Sequence, residues 1–272
     1  MYKSILSTLD GTAESRSAAQ TAGLLAKHFG AKLTLLHMVA DARDAVPLVG
    51  EGMSGALIDE IVKATEEDAK RRLDSAEADR DSLSLEDADW RVLSGREDEE
   101  VALRGRLADL TVLSRPGGAQ ETSANLTLHA ALFETGRPVL VVPETPMATL
   151  PKRIAISWNG SAQASRALAA ALPFLIVAEK VVVLNAKADV AEPVCCEALA
   201  GYLAAHGIKA DVDSFQPSGV AVGADILSHA AHQQADMLVM GAYTHSRMRQ
   251  LILGGVTSHV LEHAELPVLM AH

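Results

Sequence analysis

The chain reads as two copies of one unit laid end to end. Residues 2–12 (YKSILSTLDGT) and residues 151–161 (PKRIAISWNGS) carry apolar, glycine and hydroxyl residues in register. Two later landmarks also recur in pairs, an Ala-Asp-apolar run at 108–113 and 235–240 and a Pro-Val-Leu sequence at 138–140 and 267–269. Because the landmarks keep the same order, they indicate a duplicated domain. The differences between the copies are therefore where function should be sought.

Both copies alternate short, continuous apolar runs with segments of helical periodicity. This pattern predicts an α/β fold with a parallel sheet covered by helices on both faces. In the first copy the predicted strands are 5–9, 32–39, 88–93, 110–113 and 139–142, and the helices are 13–29, 54–77, 97–107 and 123–134. In the second copy the strands are 154–158, 181–185, 209–215, 237–240 and 268–270, and the helices are 162–177, 194–205, 222–234 and one ending at 263. Three prolines between residues 143 and 151 mark a linker, so we expect domains at 1–145 and 150–272.

Composition excludes several classes of partner. The net charge of −11 argues against nucleic acid, whose phosphates require a basic surface. No uncharged stretch approaches the length that a membrane span needs. The N-terminus enters a strand directly, without an apolar signal core. We therefore expect a soluble cytoplasmic protein.

A glycine-rich loop follows the fourth strand of the second copy. In open α/β sheets, ligands bind beyond the carboxyl ends of the strands, where the strand order reverses. Gly241 could leave the strand with positive φ and let a ligand approach the backbone. Gly254 and Gly255 precede the last helix, whose first amides, with the Thr257 hydroxyl, would face an anion. The alternative is that these glycines serve only as turn and cap residues.

The same loop resembles the G-x2-G-x9-G-(S/T) signature of the universal stress protein family. ATP-binding members of that family hold the triphosphate there. The strand and helix order of both units, with Asp-Gly-Thr or Asn-Gly-Ser after each first strand, is also similar to that family. The resemblance covers essentially the whole chain. It implies two tandem, Rossmann-like domains with five parallel strands each. Because the landmarks recur in order, we expect a pseudo-twofold axis between the domains. Strands 139–142 and 268–270 should lie at their contact, because each follows a proline, which suits a sheet edge.

The resemblance also implies a set of nucleotide-binding residues. Asn159 stands where the family usually has an adenine-side Asp, and the backbone of Ala186 matches a position that meets adenine. Thr244 replaces the middle glycine of the signature, where a β-branched side chain crowds the backbone, and Gly255 replaces its final hydroxyl residue. The candidate nucleotide-binding residues are Asn159, Ala186, Gly241, His245, Arg247, Gly254, Gly255, Val256 and Thr257. His245 and Arg247 have an alternative interpretation as solvated loop residues.

The corresponding loop of the first copy lacks this pattern. Ser114 stands in place of the strand-exit glycine, Pro116 removes a backbone donor, and the nine-residue spacing is absent. Asp10 stands at the adenine-side position in the first unit, as Asn159 does in the second. The alternative for both residues is that they only cap the following helix. We predict that the first unit binds no triphosphate and serves as the structural partner in a pseudo-dimer within one chain.

The resemblance implies a tandem universal stress protein that binds ATP or another adenine nucleotide, with Mg²⁺, in its second domain. We expect a stress-response regulator with no catalytic residues, at most a slow ATP hydrolase, since no general base or metal-holding carboxylate is evident near the loop. No metal site is predicted. The rival hypothesis is a nucleotide-free protein-interaction module in which both sites are degenerate. The sequence leaves open which proteins are its partners and whether two chains form a homodimer.

Overall fold

The computed structural model describes residues 1–40, 55–116, 123–186, 196–219, 221–242 and 255–272. The first unit consists of β1 (Ser4–Thr8), α1 (Ala13–Phe29), β2 (Lys32–Val39), α2 (Gly55–Ser82), β3 (Asp89–Ser94), α3 (Glu97–Gly105), β4 (Leu110–Ser114), α4 (Ser123–Glu134) and β5 (Val139–Val142). The second consists of β6 (Arg153–Ser157), α5 (Ala162–Leu175), β7 (Lys180–Ala186), α6 (Cys196–Ala205), β8 (Ala210–Phe215), α7 (Val222–His232), β9 (Met237–Gly241), α8 (Gly255–His263) and β10 (Val268–Ala271).

The strands form one sheet of ten, in the order β3-β2-β1-β4-β5-β10-β9-β6-β7-β8. Each unit supplies five parallel strands, and the two halves meet where β5 and β10 pair antiparallel. This pairing relates the halves by a pseudo-twofold axis, as predicted. The prediction that the two final strands lie at the contact between units is confirmed. Strands β5 and β10 are edge strands within their own units and lie at the centre of the ten-stranded sheet.

The recurring Ala-Asp landmark has a structural reason. The carboxylate of Asp109 accepts hydrogen bonds from the amides of Lys3 and Ser4, at 2.7 and 3.1 Å. Asp236 does the same for Lys152 and Arg153, at 2.9 Å each. In each unit, therefore, an Asp just before the fourth strand satisfies backbone donors at the start of the first strand.

Local signals explain the helices that were predicted with correct ends. Helix α1 begins after Thr12, whose hydroxyl accepts from the amide of Ser15, and it ends at Gly30, which has a left-handed φ of 60°. Helix α2 runs five residues beyond its predicted end at 77. The predicted end at 77 was wrong because contacts with α1 hold the last turn: Arg16 donates hydrogen bonds to Asp79 and Ser82. The chain then takes a positive φ at Ser84.

The core forms two layers, one on each face of the sheet. Helices α1, α2, α5 and α6 pack on one face, and α3, α4, α7 and α8 pack on the other. The first layer crosses the boundary between units, because Phe174 of α5 contacts the rings of Tyr2 and Phe29 at centroid distances of 5.7 and 5.4 Å. Of the helices in the described part of the chain, none combines the length and apolarity that a membrane crossing requires.

Candidate functional site

The candidate site lies at the carboxyl edge of the second half-sheet, where the strand order reverses. Ser157, at the end of β6, is paired with Leu184 of β7 on one side and with Met240 of β9 on the other. Asn159, Ala186 and Gly241 therefore lie at the ends of three neighbouring strands. The structure brings these three predicted residues together at the position where doubly wound sheets bind ligands.

Asn159 shapes the turn between β6 and α5. Its Oδ1 accepts a hydrogen bond from the amide of Ser161 at 3.2 Å, and Gly160 between them has φ of 68°. The N-cap of α5 is Ser161, whose hydroxyl accepts from the amide of Ala164 at 3.1 Å. The alternative prediction that Asn159 itself caps the helix is wrong, because two residues of turn separate it from the first helical residue.

The first unit repeats this turn with Asp10 in place of Asn159. Asp10 accepts hydrogen bonds from the amide and the hydroxyl of Thr12, at 3.0 and 2.6 Å, and Thr12 is the N-cap of α1. The alternative that Asp10 caps the helix directly is wrong for the same reason. Burial alone would raise the pKa of Asp10, but hydrogen bonds from Ser15 and Thr12 and the charge of Arg72 hold it below its usual value.

Gly241 is required by packing. A Cβ at this position would lie 2.5 Å from the amide nitrogen of Ala164 and 2.8 Å from the carbonyl carbon of Gln163. The prediction of a positive φ at Gly241 is wrong, since its φ lies outside the left-handed region. Close packing against the first turn of α5 is sufficient to account for the glycine.

Helix α8 begins at Gly255, one residue earlier than expected. A helix that connects two parallel strands runs antiparallel to them, so the amino end of α8 lies at the same edge as Asn159 and Gly241. Gly255 is exposed, and no described residue lies within 4 Å of a Cβ added there. The first turn of α8 contains no acidic side chain. Val256 is half-buried, and Thr257 is only 5% exposed, so the amides of this turn are better placed to meet a ligand than the Thr257 hydroxyl.

Residues 243–254 of the predicted loop lie outside the described residues, and with them Thr244, His245, Arg247 and Gly254. Among the residues that the structure does describe, no group of three or more His, Cys, Asp or Glu side chains could hold a metal ion.

Helix α2 closes the corresponding edge of the first unit. The hydroxyl of Ser75 donates to the carbonyl oxygen of Gly11 at 3.1 Å, and a Cβ on Gly11 would lie 2.7 Å from the Arg72 carbonyl oxygen. The Arg72 guanidinium lies 3.7 Å from the Asp10 carboxylate. Sequence reasoning missed these contacts, because nothing in the helical spacing of α2 indicates which turn it meets.

Negative charge distinguishes the first unit further. Glu97 begins α3, and its burial raises the pKa of its carboxyl group to about 7, with the neighbouring charges of Asp10 and Asp98 acting in the same direction. All four residues of the first turn of α3 are acidic. A phosphate at this edge would meet acidic side chains, and its charge would favour the protonated form of Glu97.

Comparisons with known proteins agree with the duplicated fold. The model of the Universal stress protein family matches residues 1–143 and again residues 141–272. A universal stress protein structure from Archaeoglobus fulgidus DSM 4304 superposes with a TM-score of 0.73 at 17% identity, covering 98% of this chain and 95% of that one. A putative universal stress protein from Pseudomonas aeruginosa UCBPP-PA14 gives 0.56 at 15% identity, with coverage of 98% and 92%. Among curated proteins, none matches this chain.

The two structural likenesses show the fold alone, since both identities are low. The family match covers both halves of the chain. This chain belongs to the universal stress protein family, with two of its domains in tandem.

Proposed function

We propose that the second unit binds one adenine nucleotide, ATP or a close relative with its Mg²⁺, and that the protein acts in the cytoplasm as a stress-response regulator without strong catalysis. The observation that carries this proposal is the position of α8. Its exposed amino end lies at the same edge as Asn159, Ala186 and Gly241. The amides of a first helical turn point along the helix axis and attract phosphate, and the helix dipole adds to the attraction.

The residues at this edge fit such a ligand. The turn engages the Oδ1 of Asn159, so recognition of the base would fall to its amide NH2 group. The backbone of Ala186 would meet the adenine from the neighbouring strand. His245, Arg247 and Gly254 complete the proposed phosphate side, as inferred from the sequence. Because these contacts are charged or polar, binding should weaken as salt rises.

The first unit is proposed to bind no triphosphate. There, α2 contacts the turn at Gly11, and Glu97 adds a carboxylate beside Asp10. A nucleotide would have to displace the Ser75 and Arg72 contacts before it reached Asp10. This difference between the units is the basis for proposing one site per chain.

A nucleotide-free interaction module remains the second candidate function. The specific observation in its favour is Gly241, whose lack of a side chain is explained by the packing of α5. A glycine that matches the family signature therefore gives no independent support for a ligand.

Loop variants test the proposal. The titrations would use ATP with Mg²⁺ on the parent, Thr244→Gly, Gly255→Ser and Gly254→Val. If residue 244 needs the positive φ that a glycine of the signature can adopt, Thr244→Gly should strengthen binding by about tenfold, because it removes a crowding side chain and about 1–3 kcal/mol of strain. Gly255→Ser should strengthen it less, since the added hydroxyl contributes about 1 kcal/mol and no described residue lies within 4 Å of the new Cβ. Gly254→Val should abolish binding.

One outcome would decide against nucleotide binding, and another against the ranking of the loop residues. If the parent and all three variants bind no nucleotide, and none is released by acid from the purified protein, the interaction module is favoured. If Gly255→Ser strengthens binding sharply and Thr244→Gly leaves it unchanged, the assignment of Thr244 as the main defect is wrong.

A further inference from the structure

An arginine of the first unit holds the end of a helix of the second. Arg115 follows β4, and its Nη1 donates hydrogen bonds to the carbonyl oxygens of Glu262 at 2.9 Å and Ala264 at 3.1 Å. Both carbonyls lie at the carboxyl end of α8. A guanidinium at this end satisfies carbonyls that the helix cannot pair and also opposes the negative end of the helix dipole.

Helix α8 reaches the carboxyl edges of both half-sheets. Its amino end lies at the edge of the second unit, where the proposed nucleotide site is. Its carboxyl end leads into β10, which is antiparallel to β5, with Val268 opposite Val141. That end therefore lies beside the carboxyl edge of the first unit, within reach of Arg115.

Arg115 occupies the first position of the degenerate loop. It corresponds to Ala242 of the second unit, because the amide of Arg115 donates to Val142 and the amide of Ala242 donates to Ala271, at 2.8 and 2.9 Å. In the second unit this position opens the glycine-rich loop. In the first unit the same position is Arg115, which bonds to the second unit. The residue that opens the loop without the glycine pattern therefore connects the two units.

The carboxyl end of α4 is held differently from that of α8. Helix α4, the first-unit counterpart of α8, ends at Glu134, whose carbonyl oxygen accepts from Nε of Arg106 at 3.1 Å. Arg106 belongs to the same unit as α4. The carbonyls at the end of α8 are therefore bonded across the boundary, whereas the Glu134 carbonyl of α4 is bonded from within its own unit. The end of α4 meets the second unit through a ring contact, Phe133 with His272 at a centroid distance of 4.5 Å.

We infer that Arg115 is a positioning residue for nucleotide binding in the second unit, acting through α8. This inference rests on the proposed function. By holding the carboxyl end of α8, Arg115 orients the helix whose first amides would meet the phosphates. By linkage, nucleotide bound at the amino end should in turn stabilise the end that Arg115 holds.

The test compares Arg115→Met, Arg115→Lys and the control Arg106→Met in the full chain, with ATP and Mg²⁺ as the probe. Calorimetry should show about threefold to tenfold weaker binding for Arg115→Met, an intermediate loss for Arg115→Lys, and parent affinity for Arg106→Met. Hydrogen exchange of the α8 amides should be faster in Arg115→Met, and ATP should slow it in the parent.

A merely structural role would lower the urea midpoint of both methionine variants and leave their ATP affinities equal to that of the parent. That result would overturn the inference. If the parent itself binds no ATP, the proposed function fails and this inference fails with it. If the parent binds and Arg115→Met binds equally well, this inference alone is wrong.

Discussion

At the scale of single residues, Gly241 is defined by the helix that packs against it. Gly241→Ala would place a methyl group 2.5 Å from the Ala164 amide nitrogen, in contact with backbone that cannot easily move. We expect a loss of about 1–3 kcal/mol in the free energy of unfolding, measured in urea. The control is Gly201→Ala in α6, where an added Cβ meets nothing within 4 Å and a helical alanine should stabilise by up to about 1 kcal/mol. Equal stability of the two variants would contradict this account.

Glu97 makes stability depend on pH. The pKa of Glu97 in the folded state is about 7, above its usual 4.5, so folding favours the protonated carboxyl. The contribution of this proton to the free energy of unfolding is fully present below about pH 4.5 and is lost as the pH rises through 7. Glu97→Gln removes the charge and should raise the free energy of unfolding at pH 8 by about 1–3 kcal/mol relative to the parent. At pH 4 this stabilisation should be absent. Urea unfolding at both values measures the difference.

The control for this experiment is Glu77→Gln, which changes an exposed carboxylate on α2. Its stability should follow that of the parent at both pH values. If Glu97→Gln and the parent keep a constant difference from pH 4 to pH 8, the carboxyl of Glu97 is not the titrating group.

At the scale of elements, the two aspartates that precede β4 and β9 should contribute equally. Asp109→Ala and Asp236→Ala each remove two hydrogen bonds to strand amides. We expect each to cost about 1–3 kcal/mol, and the double variant to cost the sum, because the sites share no partner. Asp→Asn at either position keeps an acceptor and should cost less. Chemical denaturation of the set measures these values, and a large loss at only one position would contradict equivalence of the units.

Much of the element order was predictable because its signals are local. The predicted bounds of α1, β2, α4 and β5 match the structure, since caps, glycines and prolines adjoin them in sequence. Helix α5 ends two residues before its predicted end at 177, with Pro173 inside its last turn. The contact of Ser75 with Gly11 and the packing at Gly241 were not predictable, because they join residues distant in sequence. The sequence placed Asn159, Ala186 and Gly241 at one edge of the sheet, as the structure has them, but it did not show that packing against α5 requires the glycine.

At the scale of the whole molecule, the two units should unfold together. Phe174 is fully buried and packs on Tyr2 and Phe29 across the boundary, within a core layer that both units share. Phe174→Ala should cost about 3–5 kcal/mol and should destabilise both halves. The chain has two tryptophans, Trp90 in the first unit and Trp158 in the second. Single Trp→Phe variants therefore allow the unfolding of each half to be followed by fluorescence.

The two fluorescence transitions should coincide in denaturant, with and without Phe174→Ala. Separate midpoints for Trp90 and Trp158 would mean that the units are independent domains. In that case the shared core layer would contribute little to cooperativity.

The most direct test of the central claim is the number of ATP molecules bound per chain. The account places one site in the second unit, so titration calorimetry with Mg²⁺ should give one site per chain. Asn159→Ala should weaken that site, and the matched Asp10→Ala should leave both the number and the affinity unchanged. Two sites per chain, or a site lost in Asp10→Ala and retained in Asn159→Ala, would contradict the assignment of binding to the second unit.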